Sequence, residues 1–266
     1  MDHFRCRRLG AAGSPGSLVL SLDQLVFVAL ALSLGGLTKG LMGMGLPVVS
    51  VPVLAGFVGV EQAVLIMIIP SVVLNFYPAF THRAGAGEVP ELKRILLGAL
   101  PGALLGAAVL QYASPRFLST MLAAWIFAYL AMKFAHPDFR PSSAFRRRWS
   151  PLVGATSGAL QASTGISAPI IAPYFNALKL KAEAYVFGVC ICFGTFAAAH
   201  LAVAILSGAL DLELAMQGLM AIVPALIFIP IGVRARRFIS AATFDRFIQI
   251  MLAIMGLRLL YTAWLG

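Results

Sequence analysis

Charge is scarce in this sequence: only 11% of its 266 residues are charged, and only ten of those are acidic. A soluble domain carries about 25% charged residues, so composition alone excludes that class. Cysteine is nearly absent too. Cys6 lies among arginines, and Cys190 and Cys192, two apart in an apolar stretch, point in different directions on a helix. Three such residues build neither a disulfide framework nor a metal site. The four histidines (His3, His82, His136 and His200) are scattered, without the spacing of a zinc hydrolase. There is no Gly-x-Ser-Gly nucleophile, no pair of carboxylates within an apolar span and no phosphate-binding loop. These absences argue against an enzyme, a bound cofactor and a nucleotide-driven pump. No run alternates with period two, which argues against an outer-membrane barrel.

What the sequence has instead is apolar length. Hydrophobic residues make up 60% of it, and mean hydropathy is +0.92. Apolar runs recur along the chain as a polytopic helical membrane protein requires. The net charge of +10 sits mostly in short connections between those runs, which fits the positive-inside rule rather than nucleic-acid binding. Residues 1–17 carry Arg5, Arg7 and Arg8 before Leu18. Asp23 and Gln24 interrupt the apolar stretch that follows, so the segment reads as a basic tail and not as a signal peptide.

The apolar spans are 18–57 (broken), 62–80, 92–112, 115–135, 151–178 (broken), 184–207, 212–233 and 244–264. The basic stretch 137–150, with Arg140, Arg146, Arg147 and Arg148, reads as a cytoplasmic loop dividing membrane repeat 18–136 from membrane repeat 151–266. If each broken span crossed once, Arg234, Arg236, Arg237 and Arg246 would lie outside, and Asp211 and Glu213 inside. Folding 151–178 into a hairpin entered from the cytoplasm reverses this and obeys the rule. An odd number of crossings per repeat would then invert the second copy relative to the first. The first copy has two possible paths. Residues 22–57 would measure roughly 54 Å as one helix, so a crossing followed by a re-entrant arm fits, and so does a hairpin with its N-terminus outside. The expectation is an all-α fold with about seven crossings, within a range of six to eight.

The broken spans carry a repeated motif. Gly36-Leu-Thr-Lys39-Gly-Leu-Met-Gly43-Met-Gly45-Leu-Pro47 returns 122 residues later as Gly158-Ala-Leu-Gln161-Ala-Ser-Thr-Gly165-Ile-Ser167-Ala-Pro169, without a gap. Helix-breaking residues at matching positions in two halves point to a transporter's binding site. Irregular backbone survives at membrane depth only where it lines a cavity or is buried in protein. Half-helices beginning near Pro47 and Pro169 would present unpaired N–H groups and a positive dipole end to an anion. Gly43, Gly45 and Gly165 would let the backbone approach it, while Ser163, Thr164 and Ser167 would add hydroxyls. Gly36, Gly40, Ser157 and Gly158 are better explained as small residues at helix contacts.

Lys39 is the one basic residue expected deep in the apolar region, where an ionisable group is functional unless it reaches the interface. Gln161 offers amide donors at the matching position. Asn75, Thr195 and His200 are weaker pathway candidates. Asn75 reads better as a bridge between helices than as a path residue, and Thr195 as a back-bond to its own helix. A lone His200 is more often a packing residue than a proton carrier. Asp23 and Glu61 belong at span ends, in water.

With Val51-Pro52 and Ala172-Pro173 after them, the paired motifs resemble those of the sulfite exporter TauE/SafE family over residues 25–264. The resemblance implies a two-repeat inner-membrane protein that exports sulfite or an organosulfonate. Gly43-Met44-Gly45 is less glycine-rich than is usual there, and Ser167-Ala168 stand where the second loop often has glycine. The expected partners are a small anionic substrate and the lipid bilayer. A coupling proton would have to use the substrate, Lys39 or His200, and a twofold homodimer through lipid-facing surface is left open. A passive anion channel and a membrane scaffold that transports nothing are the rival readings.

Overall fold

In the computed structural model of the chain, residues 22–43, 45–89, 91–135, 142–235, 237–238 and 241–265 are described. The basic tail with Cys6, together with Met44 and Arg140, lies outside them. Among the described residues ten α-helices follow one another: α1 (Leu22–Met42), α2 (Leu46–Val58), α3 (Val60–Thr81), α4 (Leu92–Tyr112), α5 (Pro115–Ala135), α6 (Ser143–Thr164), α7 (Ala168–Ala177), α8 (Ala182–Leu206), α9 (Leu212–Ala235) and α10 (Ala241–Trp264). No strand occurs among the described residues. Six helices, α3, α4, α5, α8, α9 and α10, are long and apolar enough to cross a membrane, at the lower end of the range expected.

The two halves keep their register. Met42, Leu46 and Val60 end or begin helices in the first half. Thr164, Ala168 and Ala182 do so in the second, each 122 residues further on. One boundary differs from the sequence reading. Helix α6 starts at Ser143, so Arg146, Arg147 and Arg148 are helical and not part of a loop. The Ser142 hydroxyl caps it by accepting from the Phe145 N–H at 3.2 Å. Pro151, read from sequence as the start of the span, lies inside this helix.

Small residues set how the helices pair. Along α4, a Cβ on Gly98, Gly102 or Gly106 would strike the backbone of Pro151, Ala155 or Ala159, in that order, so α4 and α6 run parallel at close range. Gly36 and Gly40 meet the backbone of α9 at Ala225 and Ile229 in the same sense. This is helix association through small residues, as read for Gly36, Gly40 and Gly158. The remaining pairings also map onto themselves when the halves are exchanged: α3 packs on α8, and α5 on α10.

Direction follows from these contacts. Arg83, Lys93, Arg94, Arg146 to Arg148, Lys179, Lys181 and Arg234 gather at one end, which the positive-inside rule assigns to the cytoplasm. At the other end lie Glu61, Asp211 and Glu213. The two arginines there face rings, Arg116 at 3.7 Å from the Trp264 centroid and Arg258 at 4.7 Å from that of Phe57. Running parallel to α9, α1 descends from this acidic, outer end and α2 returns to it. The Ser50 hydroxyl ties the pair by donating to the Ala31 carbonyl at 2.9 Å. Running parallel to α4, α6 rises from the basic end, and α7 leads back to Lys179 and Lys181. The two hairpins open at opposite ends. Leucines 97, 100, 104 and 105 on α4, with Leu226 and Ile227 on α9, form exposed apolar faces suited to lipid.

Candidate functional site

Each break is built by the residues that the motif singled out. Gly43 adopts φ 82° and its N–H closes α1 by donating to the Lys39 carbonyl at 2.8 Å. Gly45 follows at φ 110°, and Pro47 occupies the first turn of α2, where its missing N–H costs nothing. In the second break Gly165 takes φ 72° and its N–H donates to the Gln161 carbonyl at 2.9 Å. Pro169 then stands in the first turn of α7. The Trp125 indole N–H, from α5, donates to the Ile166 carbonyl at 3.0 Å and holds the turn in place.

Lys39 is buried, with 9% of its surface exposed. Its Nζ donates to Asn75 Oδ1 on α3 at 2.8 Å, while the Asn75 amide donates to the Ser71 carbonyl at 2.8 Å. An ammonium has three donors. Asn75 is its one hydrogen-bond partner among the described residues, so at least one donor remains for a ligand in either protonation state. No carboxylate forms an ion pair with it there. One turn along α3, the Ser71 hydroxyl is buried without a partner. Sequence reasoning missed Ser71. The signal available was its place four residues before Asn75, on the same helix face.

The second break spends its polar groups differently. Ser163 and Thr164 donate to the Ala159 and Leu160 carbonyls of their own helix, both at 2.7 Å, so neither hydroxyl proton is offered to a ligand in this conformation. Ser167 donates to Gln161 Oε1 at 2.7 Å, which leaves the Gln161 amide hydrogens unspent. Register explains the contrast. Where the first half has Lys39, Gly45 and Asn75, the second has Gln161, Ser167 and Ala197. Position 39 must find its partner on α3, since Gly45 offers no side chain. Gln161 finds one inside the break.

The two breaks lie at different depths. Lys39 meets Asn75, whereas a Cβ on Gly165 would lie 3.6 Å from Val64 Cγ2, eleven residues earlier on α3. That is roughly 16 Å along a helix axis. The first break sits toward the basic end and the second toward the acidic end, with Val64, Ser71 and Asn75 on the stripe of α3 between them. Their exposure differs as well: Gly43 is exposed, whereas Gln161 to Pro169 are all buried.

The other candidates lie apart from the Lys39 pair. Thr195 is half-buried on α8 and makes no hydrogen bond among the described residues, so the back-bond expected from sequence does not form. His200 is buried on α8 near its outer end, facing a small cleft. Glu61 is exposed in the first turn of α3, as expected.

Residues 28–259, from α1 to α10, match the family of the sulfite exporter TauE/SafE. This chain belongs to that family. No curated protein and no solved structure matches it. As a TauE/SafE protein with six helices suited to spanning, it is a multi-pass membrane transporter of sulfur anions. The TauE/SafE family is one of transporters and not of enzymes.

Proposed function

We propose that the protein is a secondary exporter of a small sulfur-containing anion, sulfite or an organosulfonate, in the bacterial inner membrane. It works by alternating access between two inverted repeats. The observation that carries this reading is the Lys39 ammonium, buried at a helix break with one hydrogen bond to Asn75 and no acidic partner among the described residues. Retaining a cation at that depth is costly, and a substrate anion would offset the cost. Hairpins that open at opposite ends and keep a 122-residue register support the inverted arrangement.

In this reading the anion arrives from the cytoplasm at Lys39, beside the exposed turn at Gly43. It passes along the α3 stripe by Ser71. The Gln161 amide and the first-turn N–H groups of α7 receive it, and it leaves on the outer side. Hydroxyls 163, 164 and 167 must exchange their present acceptors to take part. The offset of the breaks makes them successive stations rather than two walls of one site.

Purified protein in liposomes tests this by uptake of radiolabelled sulfonate. Saturable flux that Lys39→Ala lowers at least about tenfold is expected, because a charge-assisted hydrogen bond contributes about 1.5–3 kcal/mol. Flux proportional to concentration without saturation would favour a channel. No flux for any sulfur anion in folded protein would favour a scaffold.

A further inference from the structure

The outer end of the molecule holds a polar cleft that the anion path does not use. It lies between α3, α4 and α8, and Glu61, Gln111, His200 and Ser207 supply its polar groups. Ala107 and Ala204 are among its apolar lining residues. Its interior holds about 10 Å³, room for roughly one water and far too little for a sulfonate. In this conformation the cleft admits a water and not a sulfonate.

His200 is the unusual member. Only 2% of its surface is exposed, yet its imidazole makes no hydrogen bond to any described residue. A buried polar side chain without a partner calls for a specific explanation. An imidazole that faces a cleft with room for one water has one, since a water there can bring it a proton. The surrounding groups leave few alternatives. Glu61, from α3, is the one other titratable residue lining the cleft; α4 contributes Gln111, Leu110 and Ala107, and α8 itself adds Ser207. Ala162 of α6, next to Gln161, packs with Ala107 and Ala199, which places the second break directly behind the cleft.

We propose that this cleft is the proton-loading site of the exporter, with Glu61 at its mouth and His200 as the acceptor. A hydronium at the outer surface passes its proton through the cleft water to an imidazole nitrogen, which leaves water and imidazolium. The proton is released to water on the cytoplasmic side once the carrier has turned inward, before the next anion binds. The proposal rests on the transporter reading, and two assays keep their failures apart.

The substrate for the test is an alkylsulfonate, which stays ionised near neutral pH and carries no proton of its own. In proteoliposomes, sulfonate/sulfonate exchange reports the anion path, and a trapped pH dye reports protons moved with net sulfonate flux. The expected wild-type result is exchange together with proton movement opposite to the sulfonate. His200→Gln should keep exchange and lose proton movement. Glu61→Gln, at an exposed residue, should keep exchange and slow proton-coupled net flux. Net sulfonate flux without protons in the wild type would overturn the proposal, as would unchanged proton movement in either folded variant. Absence of exchange in the wild type would sink the transporter reading, and this proposal with it.

Discussion

Residues at the two breaks differ in what they can tolerate. Gly165 and Gly43 share a left-handed backbone, which costs a non-glycine residue about 1–2 kcal/mol. Around Gly43 a Cβ would meet nothing within 4 Å, whereas at Gly165 it would lie 2.8 Å from Val51 Cγ2. Gly165→Ala should therefore destabilise by more than Gly43→Ala, and adding Val51→Ala should recover part, not all, of the loss. Thermal unfolding of the three variants and the double mutant checks this; equal losses at both glycines would refute it. A bulky residue at Gly165 is accordingly a poor probe of binding, because it disturbs packing first. Ser71 is the cleaner probe. Its hydroxyl has no partner to lose, so Ser71→Ala should leave ligand-free stability unchanged or raise it by up to about 1 kcal/mol. Anion affinity should fall about fivefold, the equivalent of one ordinary hydrogen bond. Unchanged affinity would show that the hydroxyl never meets the substrate.

Elements were legible to different degrees. The breaks and the ends of the spans could be read directly, because Gly and Pro interrupt helices through local chemistry and apolar runs have a length set by the bilayer. The start of α6 could not. Pro151 looks like a first-turn residue, but the Ser142 cap and the stability of the longer helix carry α6 eight residues further back. Tertiary facts were hidden for a different reason. That Lys39 reaches Asn75, 36 residues away, and that the two breaks lie at different depths both follow from how far each hairpin slides along its partner helix. Those slides are set by glycine contacts with backbone. Gly102→Leu on α4 should break the α4–α6 contact at a cost of about 3 kcal/mol or more, because the backbone at Ala155 cannot yield as a side chain can. Leu104→Ala, on the exposed face of the same helix, should cost less than about 1 kcal/mol. Similar yields of folded protein for the two would contradict this packing scheme.

At the scale of the whole molecule, the charge asymmetry and the opposed hairpins make one statement about orientation. Introduced in a background lacking native cysteines, a cysteine at Ser207 should react with an impermeant thiol reagent from outside the cell. One at Lys181 should react only after the membrane is opened. The reverse pattern would turn the protein over and exchange the roles given to its two ends. The central claim is that Lys39 holds a sulfur anion, and thermal unfolding of the detergent-purified protein tests it most directly. Sulfite, thiosulfate, sulfate, sulfoacetate, taurine, acetate and chloride make the panel. A ligand present at 100 times its Kd should stabilise the folded state by about 2.7 kcal/mol. A rise in Tm with at least one sulfur anion, absent with acetate and chloride and lost in Lys39→Ala, is the predicted result. A Tm that no sulfur anion moves, or a rise that survives in Lys39→Ala, would contradict the account.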